Sequence, residues 1–221
     1  ALLWRILSDL DLPSLTLEIN NLGYTADRDT YRPHLVSYLK QHESGLCANC
    51  RHRIDANPLR VLDCKVPECR AITETAPRLG DSLSEAACSY FAQVLAGLDA
   101  IKIPYSLNHR LVRGLDYYNL TTFEVTATNL GAQNAVGAGG RYDGLVETLG
   151  GPPTPAVGFA LGLERMSMLL PDSAIGRALK YVAIYVAGFG DNGAVAGLTA
   201  LEELRLAGLR AVSDFRSTTL K

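Results

Sequence analysis

The run Arg113-Gly114-Leu115-Asp116-Tyr117-Tyr118-Asn119-Leu120-Thr121-Thr122-Phe123-Glu124-Val125-Thr126 joins a loop to a strand. Its second half, from Tyr117 onward, predicts a β-strand with Phe123 and Val125 on one side. In its first half, Arg113 stands beside a glycine, and a guanidinium on such a loop can approach a phosphate with its planar fork. A surface arginine beside ordinary strand tyrosines fits the spacing equally well.

Two glycine-rich segments follow this strand, since nine of the chain's 20 glycines fall from Gly131 to Gly162. The first segment is Ala138-Gly139-Gly140-Arg141-Tyr142-Asp143, near a short strand pattern around Val136. Its glycine pair lets the main chain lie against a small ligand, with Tyr142 placed to reach over that ligand. Glycine pairs are also common in hairpins, so a plain turn explains the same residues.

The second segment is Gly158-Phe159-Ala160-Leu161-Gly162-Leu163-Glu164-Arg165, between a predicted strand at Val157–Ala160 and a predicted helix at Leu161–Leu170. It has neither the Lys-Ser/Thr ending of a phosphate-cradling loop nor the spacing of a dinucleotide fingerprint. A nucleotide bound here would be held by an arginine and an antiparallel sheet face. The alternative is a strand–helix packing junction with a solvated Arg165.

The residues before the loop predict several helices and two more strands, of which the second lies at Ile103–Leu107. Leu15–Ile19 alternates apolar and polar residues, as in a half-buried strand. Helices are predicted at Ala1–Leu10, at Tyr31–His42 with Pro33 in its first turn, and from Ser82 or Ser84 to about Asp99. Cys88 lies on the apolar face of the last of these helices, so we expect it in the core.

The last forty residues change in style. Tyr181–Ala187 predicts a short apolar strand, Gly193–Leu206 a helix, and Leu209–Ser213 a second strand. A strand, a helix and a strand in this order form a βαβ unit of a parallel sheet.

Composition narrows the class of protein. The chain has 221 residues, 48% of them hydrophobic, and a formal net charge of −2. This apolar content is ample for a core, and the charge excludes a globally basic nucleic-acid-binding protein. No run of eighteen apolar residues exists, which excludes a membrane-spanning helix. Five cysteines, four of them clustered, fit a reducing cytoplasm better than a disulfide scaffold.

The four clustered cysteines have the spacing of a metal site. Cys47-x2-Cys50 and Cys64-x4-Cys69 are separated by thirteen residues, which is compatible with a tetrahedral structural zinc. Four ordinary thiols fit the same positions. Nearby basic residues form a local positive surface that either contacts nucleic acid or is merely solvated. They are Arg51, His52, Arg53, Arg60 and Lys65.

Three segments, the Arg113 loop and the two glycine-rich stretches, together resemble the histidyl-tRNA synthetases, which are class II aminoacyl-tRNA synthetases. Arg110–Tyr118 looks like the histidine-specific loop of that family, Ala138–Gly144 like its second histidine-pocket segment, and Gly158–Arg165 like class II motif 3. The resemblance extends upstream through Leu15–Ile19 and Asn57–Asp63. It implies an α+β fold: a class II-type antiparallel sheet with helices, a helical insertion, and the start of an α/β anticodon-binding domain.

The resemblance also implies a reaction, the ATP-dependent activation of histidine to histidyl-adenylate and its transfer to tRNA-His. Arg113 matches the family arginine that contacts the α-phosphate, a catalytic role that neutralises charge on the phosphorus. Tyr118 and Tyr142, with Tyr117 beside them, match the tyrosines that bind histidine.

On the ATP side, Arg165 matches the motif 3 arginine that grips the γ-phosphate. Gly162 would let the adenine and ribose lie on the sheet. Glu124 is a candidate ligand for the magnesium ion that accompanies ATP, although a solvated strand carboxylate fits as well.

The chain also departs from the family pattern, since motif 1, motif 2 and the acidic loop for the α-amino group have no counterpart in it. We therefore expect a fragment that is inactive alone, from a parent that is a cytoplasmic homodimer. Residues 1–23 and 100–172 are then part of the catalytic core, 24–99 the mainly helical insertion, and 178–221 the first part of the anticodon-binding domain.

Two other functions compete with this one. One is a histidine-binding regulatory paralogue, similar to the regulatory subunit of ATP phosphoribosyltransferase. Arg113 argues against it because phosphoryl chemistry needs that arginine and histidine sensing does not, and the α/β domain begun at Tyr181 also argues against it. The other is a tRNA-binding fragment without chemistry, whose binding ATP and histidine would not influence.

Overall fold

The computed structural model describes residues 1–131, 133–172, 184–190 and 193–213. The chain divides into two compact units, Ala1–Leu169 and Leu170–Lys221. Of the strand predicted at Tyr181–Ala187, residues 181–183 lie outside the described part of the chain.

A five-stranded sheet forms the centre of the first unit. Its strands lie in the order β2-β1-β3-β4-β5. The pair β1–β2 is parallel and the other three pairs are antiparallel, which confirms the predicted α+β class with an antiparallel sheet. The strands are β1 Leu15–Asn21, β2 Ser106–Leu107, β3 Asn119–Ala127, β4 Ala135–Arg141 and β5 Val157–Leu161.

The register of these strands gives the sheet two different faces. Leu17 pairs with Val125, and both are buried on one face. Glu18 pairs with Glu124 on the opposite face, because neighbouring residues of a strand point to opposite sides. The charged face is therefore the one available to a polar ligand.

Helices surround this sheet and form most of the region between β1 and β2. They are α1 Leu2–Asp9, α2 Thr25–Gln41, α3 Ala48–Ala56, α4 Leu59–Leu62, α5 Pro67–Glu74, α6 Glu85–Ala100, α7 Leu145–Thr148 and α8 Leu163–Leu169. No described helix is long and apolar enough to cross a membrane.

The helix α2 begins earlier than its sequence pattern predicts. It starts at Thr25 instead of Tyr31, so Pro33 lies in its interior and not in its first turn. The carboxylate of Asp27 accepts the backbone N–H of Tyr24 at 2.8 Å, which satisfies one free donor at the new start. Residues 25–30, which precede the predicted start, therefore form the first turns of this helix.

The prediction that Cys88 belongs to the core is wrong. Cys88 is exposed, whereas its neighbour Ala87 is fully buried and the Ala87 carbonyl accepts a hydrogen bond from Asn21. Successive residues of a helix point about 100° apart, so the α6 face on the sheet passes through Ala87 and leaves Cys88 outside.

An apolar cluster joins the helices between β1 and β2, here called the inserted region, to the loop before β3. Tyr31, Leu35 and Leu39 of α2 are almost fully buried in it. Cys64 and Tyr118 belong to the same cluster. The inserted region and the loop before β3 therefore share one apolar core.

The second unit contains a small parallel pair of strands. They are β6 Ile184–Val186 and β7 Ala211–Ser213, joined across α9 Gly193–Leu206. Leu201 of α9 is buried. The predicted βαβ unit is confirmed over these described residues.

Candidate functional site

Arg113 lies on the irregular loop between β2 and β3 and reaches back to the charged face of the sheet. Its Nη1 donates a hydrogen bond to Oε2 of Glu124 at 3.1 Å, and its side chain is 23% exposed. Its Nε is buried and has no hydrogen-bond partner among the described residues. A buried donor without a partner is unusual and marks Arg113 as a candidate ligand-binding residue.

Glu124, the partner of Arg113, sits in an environment that disfavours its charge. Burial raises the pKa of this carboxyl above its usual 4.5, and the nearby Arg113 cation opposes the rise. The pair orients the guanidinium against the sheet.

Three tyrosines from two segments meet beside Arg113. The ring centroids of Tyr117 and Tyr118 are 4.6 Å apart, and that of Tyr142 lies 5.7 Å from the first and 6.0 Å from the second. The guanidinium carbon of Arg113 lies 5.7 Å from the centre of the Tyr118 ring. The structure thus brings together the predicted catalytic arginine and the predicted histidine-binding tyrosines.

Tyr117 and Tyr118 differ in how far they are exposed to solvent. Tyr118 is 8% exposed and Tyr117 is 37% exposed. Burial raises the pKa of the Tyr118 phenol, and the neighbouring Tyr117 raises it further. Tyr118 is therefore a neutral hydrogen-bonding group at neutral pH.

Glycines make room for these rings. A Cβ on Gly140 would lie 2.8 Å from Cδ1 of Tyr118, and a Cβ on Gly158 would collide with the hydroxyl of Tyr142. Glycines at these positions were predicted to admit a ligand, but in the structure they admit the tyrosines themselves.

Small residues cover this face of β4 and β5. Gly140 pairs with Gly158, and Ala138 pairs with both Ala160 and Glu124. Paired residues share a face, so the floor next to Glu124 carries no bulky side chain. A flat ligand can lie directly on such a floor.

Arg165 lies at the other end of β4. Its Nη1 donates to the carbonyl of Ala135 at 2.6 Å, and its Nη2 donates to Oε1 of Gln133 at 3.1 Å. From Ala135 to Gly140 the strand spans roughly 17 Å, at ~3.4 Å per residue. The structure therefore does not bring Arg165 into the tyrosine cluster. Gly162 lies beside Arg165, and a Cβ there would make only ordinary contacts of 3.6 Å or more with that side chain.

A polar cavity of about 300 Å³ opens between the sheet and the inserted region. Glu18 and Glu124 line it from the sheet. Asp63, Cys64 and Lys65 line it from the inserted region. Arg70 and Arg110 also line the cavity, so its acidic and basic side chains are balanced in number.

The four predicted metal ligands come together in the inserted region. The Sγ atoms of Cys47, Cys50, Cys64 and Cys69 all lie within 4.8 Å of one another. Zinc–sulfur bonds of ~2.3 Å in a tetrahedron separate the sulfurs by about 3.8 Å, so a small contraction would fit zinc.

Hydrogen bonds already polarise this cysteine cluster. The backbone N–H of Cys47 donates to Sγ of Cys69 at 3.2 Å. The backbone N–H of Cys50 is the main cause that lowers the pKa of Cys47 to about 7, whereas burial raises the pKa values of Cys50 and Cys69. Cys88 is not part of the cluster.

The predicted positive surface is partly neutralised. Lys65 pairs with Asp63 at 3.0 Å, and both side chains are exposed. Arg53 donates to the carbonyl of Arg60 at 3.4 Å. The remaining basic residues, Arg51 and His52, are exposed on α3.

Two residues of the site were missed by the sequence patterns. Arg110 donates from Nε and Nη2 to the carbonyl of Leu62, and Asn57 donates from Nδ2 to Oδ1 of Asp116 at 2.7 Å. These three bonds join the inserted region to the Arg113 loop. The one local signal for Asn57 is its position directly before Pro58, the residue that caps the start of α4.

Comparison with known proteins gives a family for this architecture. The family model for histidyl-tRNA synthetase matches residues 55–166, which is just over half of the chain. The match spans the Arg113 loop, the tyrosines and the whole of the segment that ends at Arg165.

Individual relatives agree with the family model. The chain is 48% identical over 207 residues to the histidine–tRNA ligase of Anaeromyxobacter dehalogenans, covering 93% of this chain and 50% of the relative. It is 43% identical over 212 residues to the histidine–tRNA ligase of Desulfatibacillum aliphaticivorans, covering 96% and 50%. The chain thus spans about half the length of the curated relatives it matches.

A solved structure shows the same fold. The crystal structure of apo histidyl-tRNA synthetase from S. aureus superposes with a TM-score of 0.61 at 33% identity, covering 98% of this chain and 54% of the other.

Proposed function

Because this chain belongs to the histidyl-tRNA synthetase family, we propose that it is the C-terminal part of the catalytic core of a histidine–tRNA ligase. In that reaction the carboxylate of histidine attacks the α-phosphorus of ATP. Pyrophosphate leaves, and the histidyl group then passes from the adenylate to tRNA-His with release of AMP.

The observation that carries this proposal is the position of Arg113. Its guanidinium lies against the Tyr118 ring, and its buried Nε has no partner among the described residues. An α-phosphate beside the tyrosines would accept that N–H. Negative charge grows on the phosphate oxygens as the new bond forms, so a preorganised cation stabilises the transition state more than the ground state.

Amino-acid selection is proposed for the three tyrosines. Tyr118 and Tyr142 would border the imidazole and the amino group of histidine, with Tyr117 at the exposed edge. A neutral buried phenol suits this role because it both donates and accepts hydrogen bonds.

We propose that ATP binds along the floor of small residues on β4 and β5. The adenine and ribose would lie on the sheet near Gly162, with Arg165 on the γ-phosphate. Arg165 would have to exchange its present acceptors, Ala135 and Gln133, for phosphate oxygens. Glu124, with Glu18 paired opposite it in the sheet, would supply carboxylates for the magnesium ion that accompanies ATP.

The domain division and the partners are also proposals. Residues 1–23 and 100–172 would belong to the catalytic core, 24–99 to the insertion, and 178–221 to the anticodon-binding domain. The full-length protein would act as a cytoplasmic homodimer with histidine, ATP and tRNA-His as its substrates.

The test is Arg113→Ala in the full-length protein, measured by histidine-dependent ATP–pyrophosphate exchange. The adenylation rate is expected to fall about a hundredfold or more, the scale of losing one transition-state donor. Histidine affinity is expected to change much less, because the arginine acts on charge that develops during transfer.

The matched control is Arg51→Ala, which removes an exposed arginine of α3 and is expected to leave exchange unchanged. A surviving rate with weakened histidine binding would contradict the proposal and favour a regulatory histidine-binding protein.

We also propose that Cys47, Cys50, Cys64 and Cys69 hold a structural zinc ion. Four sulfurs at these separations form a complete soft donor set with no open position for catalysis. The coordination free energy would then contribute to the folding of the inserted region.

Metal analysis is expected to find about one zinc per chain, unchanged in Cys88→Ser and lost in Cys69→Ser. A metal-free chain after purification without chelators, with all of its cysteines reacting freely once unfolded, would leave them as ordinary thiols.

A further inference from the structure

The inserted region is hydrogen-bonded to the Arg113 loop on both sides of Arg113. The carbonyl of Leu62 accepts two hydrogen bonds from Arg110, at 3.2 Å from Nε and 3.1 Å from Nη2. On the other side, Nδ2 of Asn57 donates to Asp116 at 2.7 Å. All three bonds involve a charged group, and such bonds are about twice as strong as neutral ones.

Leu62 and Asn57 belong to one short segment, which we call the strap and define as Asn57–Cys64. The strap contains α4 and ends at a cysteine of the four-sulfur cluster. The backbone N–H of Cys64 donates to the carbonyl of Val61 at 3.1 Å, and Val61 and Leu62 are buried. Only Asp63 separates the carbonyl that holds Arg110 from the sulfur-bearing residue.

The strap and the loop also share apolar contacts. Cys64, Cys69, Val112 and Tyr118 lie in one buried cluster. A displacement of Cys64 would therefore disturb both the hydrogen bonds to the loop and the packing beneath Tyr118. Close-packed interiors transmit such shifts instead of absorbing them.

We infer that metal binding by the four cysteines fixes the strap and thereby holds the Arg113 loop in its working position. Arg110 and Asn57 are the positioning residues of this link, and they act on the reaction only through Arg113. The inference rests on the proposed function, which gives Arg113 its role, and on the proposed zinc ion, which would fix the strap.

Limited proteolysis of the 221-residue chain tests the link without histidine or ATP. Trypsin cuts after Arg113 only when the loop opens, because this side chain is half-buried and paired with Glu124. Cuts after Arg51 and Arg53 on α3 report opening of the inserted region in the same digest.

Removal of zinc with a chelator is expected to speed the cut after Arg113 by about tenfold, the scale of losing one or two charge-assisted bonds. Arg110→Gln and Asn57→Ala are expected to speed the same cut with zinc still bound at one per chain. In the double variant, chelation should add less than about twofold, since the link is already broken.

The inference is overturned if chelation speeds the cuts after Arg51 and Arg53 but leaves the cut after Arg113 unchanged. Zinc would then stabilise the inserted region alone. Histidine activation by the full-length protein is measured separately. Its absence would refute the proposed function without touching the proteolysis result, and activation with an uncoupled loop would refute only this inference.

Discussion

Gly140 offers a direct test of how the tyrosine cluster is built. In the structure its missing side chain leaves space for Tyr118, which packs over β4 at this point. A methyl group on residue 140 would lie 2.8 Å from Cδ1 of Tyr118 and 2.8 Å from the carbonyl oxygen of Thr121. We therefore expect Gly140→Ala to displace the ring and to strain the pairing of β3 with β4.

The magnitude follows from the size of the overlap. Favourable contacts between heavy atoms begin at about 3.5 Å, so both distances are short by ~0.7 Å. The Thr121 carbonyl belongs to β3 and cannot move far without weakening the sheet. Such overpacking costs about 1–3 kcal/mol. With a urea slope of about 2 kcal/mol per molar, the unfolding midpoint falls by ~0.5–1.5 M.

Gly97→Ala is the matched control because it makes the same chemical change in open space. Gly97 lies within α6, and a Cβ there would have no neighbour within 4 Å. Alanine in a helix is favoured over glycine, so this variant is expected to gain about 0.4–1 kcal/mol. The two substitutions thus have opposite signs.

The assay is urea unfolding followed by the fluorescence of Trp4, the chain's single tryptophan. Trp4 lies in α1, within the first compact unit, so its signal reports the unit that contains both glycines. Equal midpoints for Gly140→Ala and Gly97→Ala would refute the close packing of Tyr118 on β4.

Two further predictions concern the same site. Tyr118→Phe in the full-length protein is expected to lower the preference for histidine over its analogues, because a buried hydrogen-bonding hydroxyl is lost. The preference is measured as the ratio of kcat/KM values, and an unchanged ratio would place recognition of the imidazole elsewhere. In a carbon-13 NMR titration, the pKa of Glu124 is expected above 4.5 and higher still in Arg113→Gln, since burial raises it and Arg113 lowers it. The stabilising contribution of this carboxyl is then complete below pH 4.5 and lost as the pH rises through the folded pKa. A lower pKa in the variant would contradict the pairing.

Local patterns were sufficient for most of the elements. The alternation in Leu15–Ile19 and the run that follows Tyr117 correspond to β1 and β3, and Gly193–Leu206 is the helix α9 as predicted. These patterns work because a strand or a helix with one buried face repeats its apolar residues at the period of its backbone.

Local patterns failed where a distant residue decided the outcome. Asp27 stabilises the early start of α2 partly through Ser84, whose backbone N–H donates to Oδ1 at 2.9 Å. The two residues are far apart in sequence, so no periodicity reveals their bond. The orientation of α6, which leaves Cys88 outside, likewise depends on where the sheet lies beneath it.

The sequence by itself determined the chemical types at the site: a phosphate-seeking arginine, tyrosines, glycines and four thiols. Only the tertiary structure decided which of them meet. Tyr142 reaches Tyr118 because β3 and β4 pair in a particular register. The strap reaches the Arg113 loop because Leu62 of the strap and Val112 of the loop pack into one apolar cluster. Residue types and spacings are local properties of a chain, whereas register and packing depend on the free energy of the whole fold.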